Sequence, residues 1–278
     1  MFRNITKKER KDNHVPPAWK NVEMAVSSRN KIKIKGVDVK GKYQYIYNQN
    51  WIEKASKKKF YRLKHLIKDL PSIKNKLRNP SDSKEKLIVL ILKILMLTYI
   101  RIGNDTYEKE NKTYGLTTMN KKHCKIDGNI VEFTFIGKKG KIQNIRATLS
   151  KKMRDNLIRL RRIPGKYLFQ YNTPTGVKKI KALDINDYIV NVLKKNYTCK
   201  DFRTYGANKE FHSYLCKKDE PIRESEINRN ILDAIEYTSI KLGNTKSICR
   251  KSYISPNLID NYKKDPVSFK RRKIINLL

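Results

Sequence analysis

The stretch LIVLILKILMLTYIRIGN, residues 87–104, decides the fold of this 278-residue chain. Its first part, residues 87–100, is almost continuously apolar, with Lys93 as its one charged residue. Gly103 follows just past this run, where helices commonly end. The run is shorter than the roughly 18 to 20 apolar residues of a membrane-spanning helix, so it predicts a helix buried in a globular core. Arg101 then lies at the end of that buried helix.

Downstream of this helix the pattern changes to that of a β-hairpin. Val131, Phe133 and Phe135 alternate with polar residues, and a second β-type run, residues 141–149, follows the sequence GKKG at residues 137–140. Alternating runs joined by a short glycine-containing turn are typical of a hairpin. We therefore predict a hairpin with a lysine-bearing turn, followed by a mainly helical region up to the last residue.

The region before the buried helix has a different character. Short β-type runs at residues 31–34 and 42–47 are separated by glycines, and the polar, basic residues 53–59 look like a linker. The sequence thus predicts an α+β fold of two domains. A small N-terminal β-sheet domain covers residues 1–53, and a larger, mainly α-helical domain that includes the hairpin covers residues 54–278.

The charge of the chain points to a polyanionic partner. The sequence has 64 Lys and Arg against 26 Asp and Glu, a formal net charge of +38. The N-terminus lacks the apolar segment of a secretory signal, which favours an intracellular location, where nucleic acid is the most abundant polyanion. An anionic membrane surface is the alternative. It is disfavoured because the charge is spread along the whole chain and is not gathered on one amphipathic helix.

The sequence also limits the chemistry. It contains no D-x-D, H-E-x-x-H or comparable ligand cluster, and its cysteines are far apart, so we expect no metal site. It contains no G-x-x-x-x-G-K-[ST] loop, so hydrolysis of a nucleoside triphosphate has no support. We expect no cofactor. Phosphoryl transfer with an amino-acid nucleophile is the remaining chemistry for an enzyme acting on nucleic acid.

Several separate segments then occur in a fixed order. They are RIGN at 101–104, YEKEN at 107–111, TYGLTT at 113–118, GK at 137–138, KDFRTYG at 200–206 and SY at 252–253. With PPAW at 16–19 and QY at 44–45, they span nearly the whole chain. In this order they resemble the small type IB DNA topoisomerases of poxvirus and bacterial type. The resemblance implies a catalytic core like that of the tyrosine recombinases.

The resemblance also implies a role for each candidate catalytic residue. Tyr253 would be the nucleophile that forms a 3′-phosphotyrosyl bond, and Arg101 and Arg203 would clamp the non-bridging phosphate oxygens. Lys138 would protonate the departing 5′ oxygen. Asn244 stands nine residues before the tyrosine, where many members of the family have His. An amide can donate a hydrogen bond there, but it cannot carry the charge of an imidazolium.

A second set of residues is expected to contact DNA. In the catalytic domain these are Tyr107, Lys139 and Lys200. In the N-terminal domain they are Gln44, Tyr45 and Tyr47, which lie on one β-type run. Two interpretations stay open for the tyrosines of that run, since an aromatic strand face can line a DNA groove or pack in a core.

Together these inferences predict a monomeric type IB topoisomerase that closes as a clamp around double-stranded DNA. It would relax supercoils by cleavage of one strand, rotation and religation, without ATP or metal. One alternative is a tyrosine recombinase or integrase, which typically has His where Lys200 stands and lacks the N-terminal domain. A second is an architectural DNA-binding protein without catalysis. The Lys-, Ile- and Asn-rich composition suggests a viral origin, with a location in the virion or at a cytoplasmic replication site.

Overall fold

The computed structural model describes residues 1–78, 80, 82–193 and 196–278. The described chain divides into two compact units, Met1–Arg62 and Leu63–Leu278. None of the helices in these described residues is both long and apolar enough to cross a membrane.

The first unit contains a four-stranded antiparallel sheet in the order β1-β2-β3-β4. Its elements are β1 (Phe2–Asn4), α1 (Lys7–Asp12), β2 (Lys20–Ala25), β3 (Ile32–Val37) and β4 (Tyr43–Tyr47). The β-type runs at 31–34 and 42–47 therefore predict β3 and β4 correctly. The strands β1 and β2 were not predicted, because neither has a clean alternation of apolar and polar residues.

Side-chain alternation along β4 separates a buried face from an exposed one. The small core of this unit consists of Val15, Val22 and Ile34, with Ile5, Trp19, Met24 and Ile46 packed against it. On the other face of β4, Tyr43, Tyr45 and Tyr47 are exposed. Of the two interpretations left open by the sequence, packing of these tyrosines in a core is therefore wrong.

The helix α2 (Gln49–Lys76) joins the two units, and the division between them falls inside it, after Arg62. Residues 53–59 are part of this helix and do not form an irregular linker. Lysine has a high intrinsic helix propensity, so this lysine-rich segment continues the helix. In its second half a buried stripe recurs every three or four residues, at Leu63, Leu66, Leu70 and Ile73. The domain boundary at residues 53 and 54 stays a prediction.

The second unit is mainly helical and has a small sheet. Its elements after α2 are α3 (Ser83–Thr98), α4 (Asp105–Asn111), β5 (Cys124–Asp127), β6 (Ile130–Ile136), β7 (Ile142–Thr148), α5 (Lys151–Arg162), β8 (Gln170–Thr173), β9 (Gly176–Lys179), α6 (Ala182–Leu193), α7 (Cys199–Cys216), α8 (Glu224–Leu242), α9 (Lys246–Ser252), α10 (Pro256–Lys264) and α11 (Pro266–Arg271). The predicted α+β class is confirmed by these two units.

The apolar stretch forms α3 as predicted, but the helix ends at Thr98 because Tyr99 adopts a left-handed conformation. Arg101 therefore lies in the loop after the helix, and its predicted place at the helix end is wrong. The Asp82 side chain accepts a hydrogen bond from the backbone N–H of Glu85 at 2.8 Å, which caps the first turn. The helix is buried on nearly all sides because it contacts α6, α7, β7 and β8. The residues just after α3 line one small cavity with Arg203 of α7 and with Gln143 and Ile145 in the first half of β7.

The predicted hairpin is also present. Strands β6 and β7 pair in antiparallel register, with Phe133 opposite Ile145 and Ile136 opposite Ile142, and the turn spans Gly137 to Lys141. Val131, Phe133 and Phe135 face the core. The strand β5, which extends this sheet, and the short hairpin of β8 and β9 were not predicted.

Candidate active site

Arg101 is presented by a loop with a tightly fixed backbone. The helix α3 ends at Thr98, and the left-handed conformation of Tyr99 (φ 55°) turns the chain away from the helix axis. The carbonyl of Arg101 accepts a hydrogen bond from the N–H of Leu116 at 2.9 Å. A Cβ on Gly115 would lie 2.5 Å from that carbonyl oxygen and 2.4 Å from the nitrogen of Gly103. The segments RIGN and TYGLTT therefore interlock, and only glycine fits at residue 115.

The Arg101 guanidinium reaches the segment after α8. Its Nη1 donates to the carbonyl of Gly243 at 3.4 Å, and its Nη2 donates to Oδ1 of Asn244. Burial lowers the pKa of Arg101 from its ordinary value. The Nδ2 group of Asn244 is buried and has no hydrogen-bond partner within the described parts of the chain. The amide thus accepts from Arg101 and has a donor left over.

Arg203 is the most buried cation of the site. It lies on α7 with 4% of its surface exposed, and its Nη2 donates to the carbonyl of Leu242 at 3.0 Å. Its Nε and Nη1 groups are buried and make no hydrogen bond to any described residue. Burial lowers the pKa of Arg203 to about 10. Buried donors without partners are rare and costly in folded proteins, which suggests that a ligand pairs with them.

Tyr253 lies directly against Arg203. It follows the last residue of α9, is 9% exposed, and its ring centroid is 5.7 Å from the guanidinium carbon of Arg203. Burial tends to raise the pKa of Tyr253, but the positive charge of Arg203, the polar contact of the Arg203 side chain with the Tyr253 hydroxyl, and the charges of Arg101 and Lys200 outweigh it and bring the pKa below the usual value. The surroundings therefore lower the free energy needed to form the phenolate, which is the nucleophilic form of the side chain.

A residue that the sequence did not single out holds Tyr253 in place. Asn208 is fully buried on α7, and its Nδ2 donates to the carbonyls of Tyr253 at 2.8 Å and Thr204 at 2.7 Å. Its Oδ1 accepts from the N–H of Ser255 at 2.7 Å. Asn208 thereby fixes the backbone on both sides of residue 254. No signal in the sequence pointed to it, since a residue five positions after Arg203 does not share its face of the helix.

Lys138 lies at the tip of the hairpin, next to the arginines. It is exposed, and it lines a cavity of about 10 Å³ together with Arg101, Arg203 and Gln143. A volume of this size holds about one water molecule. The neighbouring Lys139 is exposed, in a left-handed backbone conformation (φ 63°). The structure thus groups all five predicted catalytic residues, and their roles stay predictions.

The predicted DNA-contacting residues of the second unit are all accessible. Lys200 lies in the first turn of α7, is exposed, and contributes to the low pKa of Tyr253. Tyr107 lies on α4 with 53% of its surface exposed. Their contacts with DNA stay predictions.

In the first unit the predicted DNA-contacting residues form two groups. Tyr45 and Tyr47 share one face, with ring centroids 6.4 Å apart, and Tyr47 stacks on Trp51 at 5.1 Å. The ammonium of Lys31 lies 4.8 Å from the centroid of the Trp51 ring. Gln44 lies on the opposite face, where its Nε2 donates to Oδ2 of Asp38 at 2.8 Å. Trp51 was missed because it lies outside the β-type run, in the first turn of α2.

The site is therefore built for an anion. Within the described residues, no group of three or more His, Cys, Asp or Glu side chains is placed to hold a metal ion. Arg101 and Arg203 make no ion pair with any described carboxylate. Two guanidinium groups and one amide present donors, a lysine carries a proton that it can donate, and a tyrosine with a lowered pKa can act as a nucleophile. This combination suits attack on a phosphodiester.

Residues 48–274 match the family model of the eukaryotic DNA topoisomerase I catalytic core. The chain is similar to DNA topoisomerase 1B of Acanthamoeba polyphaga mimivirus, with 33% identity over 272 residues, which cover 93% of this chain and 80% of the relative. It is also similar to DNA topoisomerase I of Monkeypox virus, with 26% identity over 234 residues, which cover 82% of this chain and 71% of the relative.

Among solved structures, the chain is similar to the XerH site-specific recombinase bound to its palindromic difH substrate in a post-cleavage complex. The identity is 14% and the TM-score is 0.42, over 82% of this chain and 59% of the recombinase chain. The chain thus spans less than two thirds of that recombinase, and a similarity at this level carries no argument about function. The family match and the mimivirus relative each cover most of the chain. The protein therefore belongs to the type IB DNA topoisomerase family.

Proposed function

We propose that this type IB topoisomerase relaxes supercoiled duplex DNA with Tyr253 as its nucleophile. The observation that carries the proposal is a set of buried donors without a partner among the described residues, on Arg203, which contacts Tyr253, and on Asn244, which accepts from Arg101. These are Nε and Nη1 of Arg203 and Nδ2 of Asn244. A phosphate in contact with Tyr253 would accept hydrogen bonds from these donors. Because their burial without partners destabilises the free protein, the new bonds would stabilise the complex.

The reaction is an exchange of one phosphodiester for another. The phenolic oxygen of Tyr253 loses its proton to solvent and attacks the phosphorus, the bond from phosphorus to the 5′ oxygen breaks, and a 3′-phosphotyrosyl bond forms. The 5′ oxygen takes a proton from Lys138 and leaves as a hydroxyl. The broken strand rotates about the intact one, and the reverse reaction then reseals it. The phosphotyrosyl bond conserves the energy of the phosphodiester, so the cycle requires no ATP, and the cationic and amide donors of the chain supply the charge stabilisation for which other enzymes use a metal ion.

The arginines stabilise the charge that builds on the non-bridging oxygens. A guanidinium presents planar donors that match phosphate oxygens and keeps its charge at working pH. Asn244 adds a neutral donor through Nδ2 while its Oδ1 accepts from Arg101. Loss of one such donor typically costs about 10²-fold to 10³-fold in rate.

Lys138 is the proposed general acid. It is exposed at the tip of the hairpin and lines the same small cavity as Arg101 and Arg203. From this place it can reach the 5′ oxygen of a phosphate held by the two arginines. A positioned general acid contributes about 10²-fold to 10⁴-fold in rate.

The remaining features serve binding to DNA. A net charge of +38 supplies affinity for the phosphate backbone, which weakens steeply with salt because counterions are released. We assign DNA contacts to Tyr107, Lys139 and Lys200 in the catalytic domain, residues 54–278. The N-terminal domain, residues 1–53, contributes Gln44, Tyr45 and Tyr47. A monomer with two such domains can close around the duplex as a clamp.

The relatives support a viral setting. The curated relatives named above are viral proteins. We therefore place the enzyme in the virion or at a cytoplasmic replication site of an infected cell.

The proposal is tested by relaxation of supercoiled plasmid in EDTA without ATP. Wild-type protein is compared with Tyr253→Phe, and detergent traps any covalent complex for end analysis. Tyr262→Phe is the matched control, since it removes the hydroxyl of another buried tyrosine, which accepts from Asn230 at 3.1 Å outside the site. We expect relaxation and 3′ attachment for wild type and control and neither for Tyr253→Phe. Relaxation by Tyr253→Phe would refute the assignment.

A further inference from the structure

Gln143 connects the hairpin turn to the segment that carries Asn244. A Cβ placed on Gly137 would lie 2.8 Å from Cγ of Gln143. At the other end of the side chain, a Cβ placed on Gly243 would lie 1.8 Å from Oε1 of Gln143. Gln143 therefore packs between the residue that precedes Lys138 and the residue that precedes Asn244.

The two strands of the hairpin are held in different ways near the turn. On β6, the carbonyl of Ile136 accepts a hydrogen bond from the N–H of Tyr114 at 2.8 Å. On β7, the Nε2 of Gln143 donates to the neighbouring carbonyl of Ile142 at 3.2 Å, and the rest of its side chain makes the contacts with the two glycines. The contact with Gly243 is close packing, which depends on the length and shape of the side chain.

The packing of Gln143 links two parts of the candidate site, the hairpin turn with Lys138 and the segment with Asn244. Lys138, Gln143, Arg101 and Arg203 line one small cavity. Arg101 in turn donates to the carbonyl of Gly243 at 3.4 Å. The lysine is exposed at the tip of a two-stranded ribbon, where its ammonium group makes no hydrogen bond to a described residue. A displacement of about 1 Å of a reacting group can cost on the order of 10²-fold in rate.

We propose that Gln143 is a positioning residue for the leaving-group step. It fixes the hairpin turn against Gly243, so that Lys138 meets the phosphate that Arg101 and Arg203 hold. The inference rests on the proposed function, in which Lys138 protonates the 5′ oxygen. Its contribution is confined to proton donation and does not extend to the attack by Tyr253.

A substrate with a bridging sulfur separates these two steps. When sulfur replaces the 5′ oxygen at the cleavage site, the bond from phosphorus to sulfur breaks and a thiolate leaves. Thiols have a pKa of about 8.5, far below that of an alcohol, so the thiolate needs no proton from the enzyme. A defect in proton donation therefore slows cleavage of the oxygen substrate and spares the sulfur substrate.

The experiment measures single-turnover cleavage of both substrates by the full-length protein. We expect Gln143→Ala to cleave the oxygen substrate about 10-fold to 100-fold more slowly and the sulfur substrate within about twofold of wild type. Gln143→Met keeps an unbranched side chain of similar length, and we expect it to restore cleavage of the oxygen substrate to within about threefold. Asn144→Ala is the matched control, since the next residue on β7 is exposed and points to the opposite face.

Three results would overturn the inference. The first is a wild-type rate for Gln143→Ala on the oxygen substrate, and the second is an equal loss on both substrates. The third is a Gln143→Met protein that is as slow as Gln143→Ala, because packing would then not be the cause. Failure of the wild-type protein to become attached to either substrate would overturn the proposed function, and with it this inference.

Discussion

Replacement of Asn208 by Ala tests how the backbone around the nucleophile is held. The side chain is fully buried and makes three hydrogen bonds, to the carbonyls of Thr204 and Tyr253 and from the N–H of Ser255. The carbonyl of Thr204 belongs to the helix α7, so it can still accept a hydrogen bond from a backbone N–H of that helix. The carbonyl of Tyr253 and the N–H of Ser255 would lose the partner they have.

The expected loss of stability follows from these two orphaned groups. A buried polar group left without a partner costs about 1–3 kcal/mol. Two such groups give roughly 2–5 kcal/mol, since some relaxation and entry of water reduce the upper limit. The rate of covalent attachment should fall as well, because the same two bonds place Tyr253 beside Arg203.

Two spectroscopic signals can assign the loss of stability to one of the two units. The chain has two tryptophans, Trp19 and Trp51, and both lie in the unit Met1–Arg62. Tryptophan fluorescence therefore reports on that unit, whereas circular dichroism in urea mostly follows the helices of Leu63–Leu278. We expect Asn208→Ala to lower the midpoint of the dichroism transition. An unfolding free energy within about 0.5 kcal/mol of wild type would refute the reasoning.

Three further predictions concern the site. Arg203→Ala removes the positive charge that lowers the pKa of Tyr253 most, so this pKa should rise above its ordinary value and phenolate should form only at higher pH. Ultraviolet difference titration against matching Tyr253→Phe proteins measures the pKa, and an unchanged or lower value contradicts the prediction. Gly115→Ala places a Cβ 2.5 Å from the carbonyl oxygen of Arg101, at a residue with an ordinary extended backbone (φ −151°). It should cost about 1–3 kcal/mol in unfolding free energy and on the order of 10²-fold in cleavage, and a wild-type cleavage rate would show that the loop does not position Arg101. Asn244→Ala removes one donor and should slow cleavage by about 10²-fold to 10³-fold, whereas Asn244→His should stay within about tenfold of wild type; equal rates for wild type and Asn244→Ala in single-turnover cleavage would remove the amide from the mechanism.

The sequence predicted the parts of the fold that depend on long, regular patterns. The apolar run of residues 87–100 became α3, and the alternation around Phe133 became the hairpin, because burial of a continuous apolar face leaves little choice of structure. It failed where tertiary contacts overrule local composition. Residues 53–59 have no apolar stripe of their own, yet they continue a helix that is anchored by Leu63 and Leu66 further along.

The candidate site shows the same division. Arg101 and Tyr253 lie in short motifs whose order along the chain carries information. Asn208 and Gln143 carry no such signal, since a polar residue on a helix or a strand is usually exposed. Their importance arises from partners about 45 and 100 residues away, Tyr253 and Gly243, which only the folded chain brings near.

The charge distribution around Arg203 explains why this site costs stability and is nevertheless formed. A guanidinium buried to this degree is usually paired with a carboxylate. The nearest acidic residues on α7 are engaged elsewhere: Glu210 accepts from the hydroxyl of Tyr99 at 2.9 Å, and Asp201 accepts from the N–H of Thr198 at 2.8 Å. A carboxylate beside Arg203 would stabilise the free protein, but it would compete with the phosphate and would raise the pKa of Tyr253. The unpaired cation therefore keeps the site ready for an anionic substrate, and bound DNA should raise the stability of this unit by mass action.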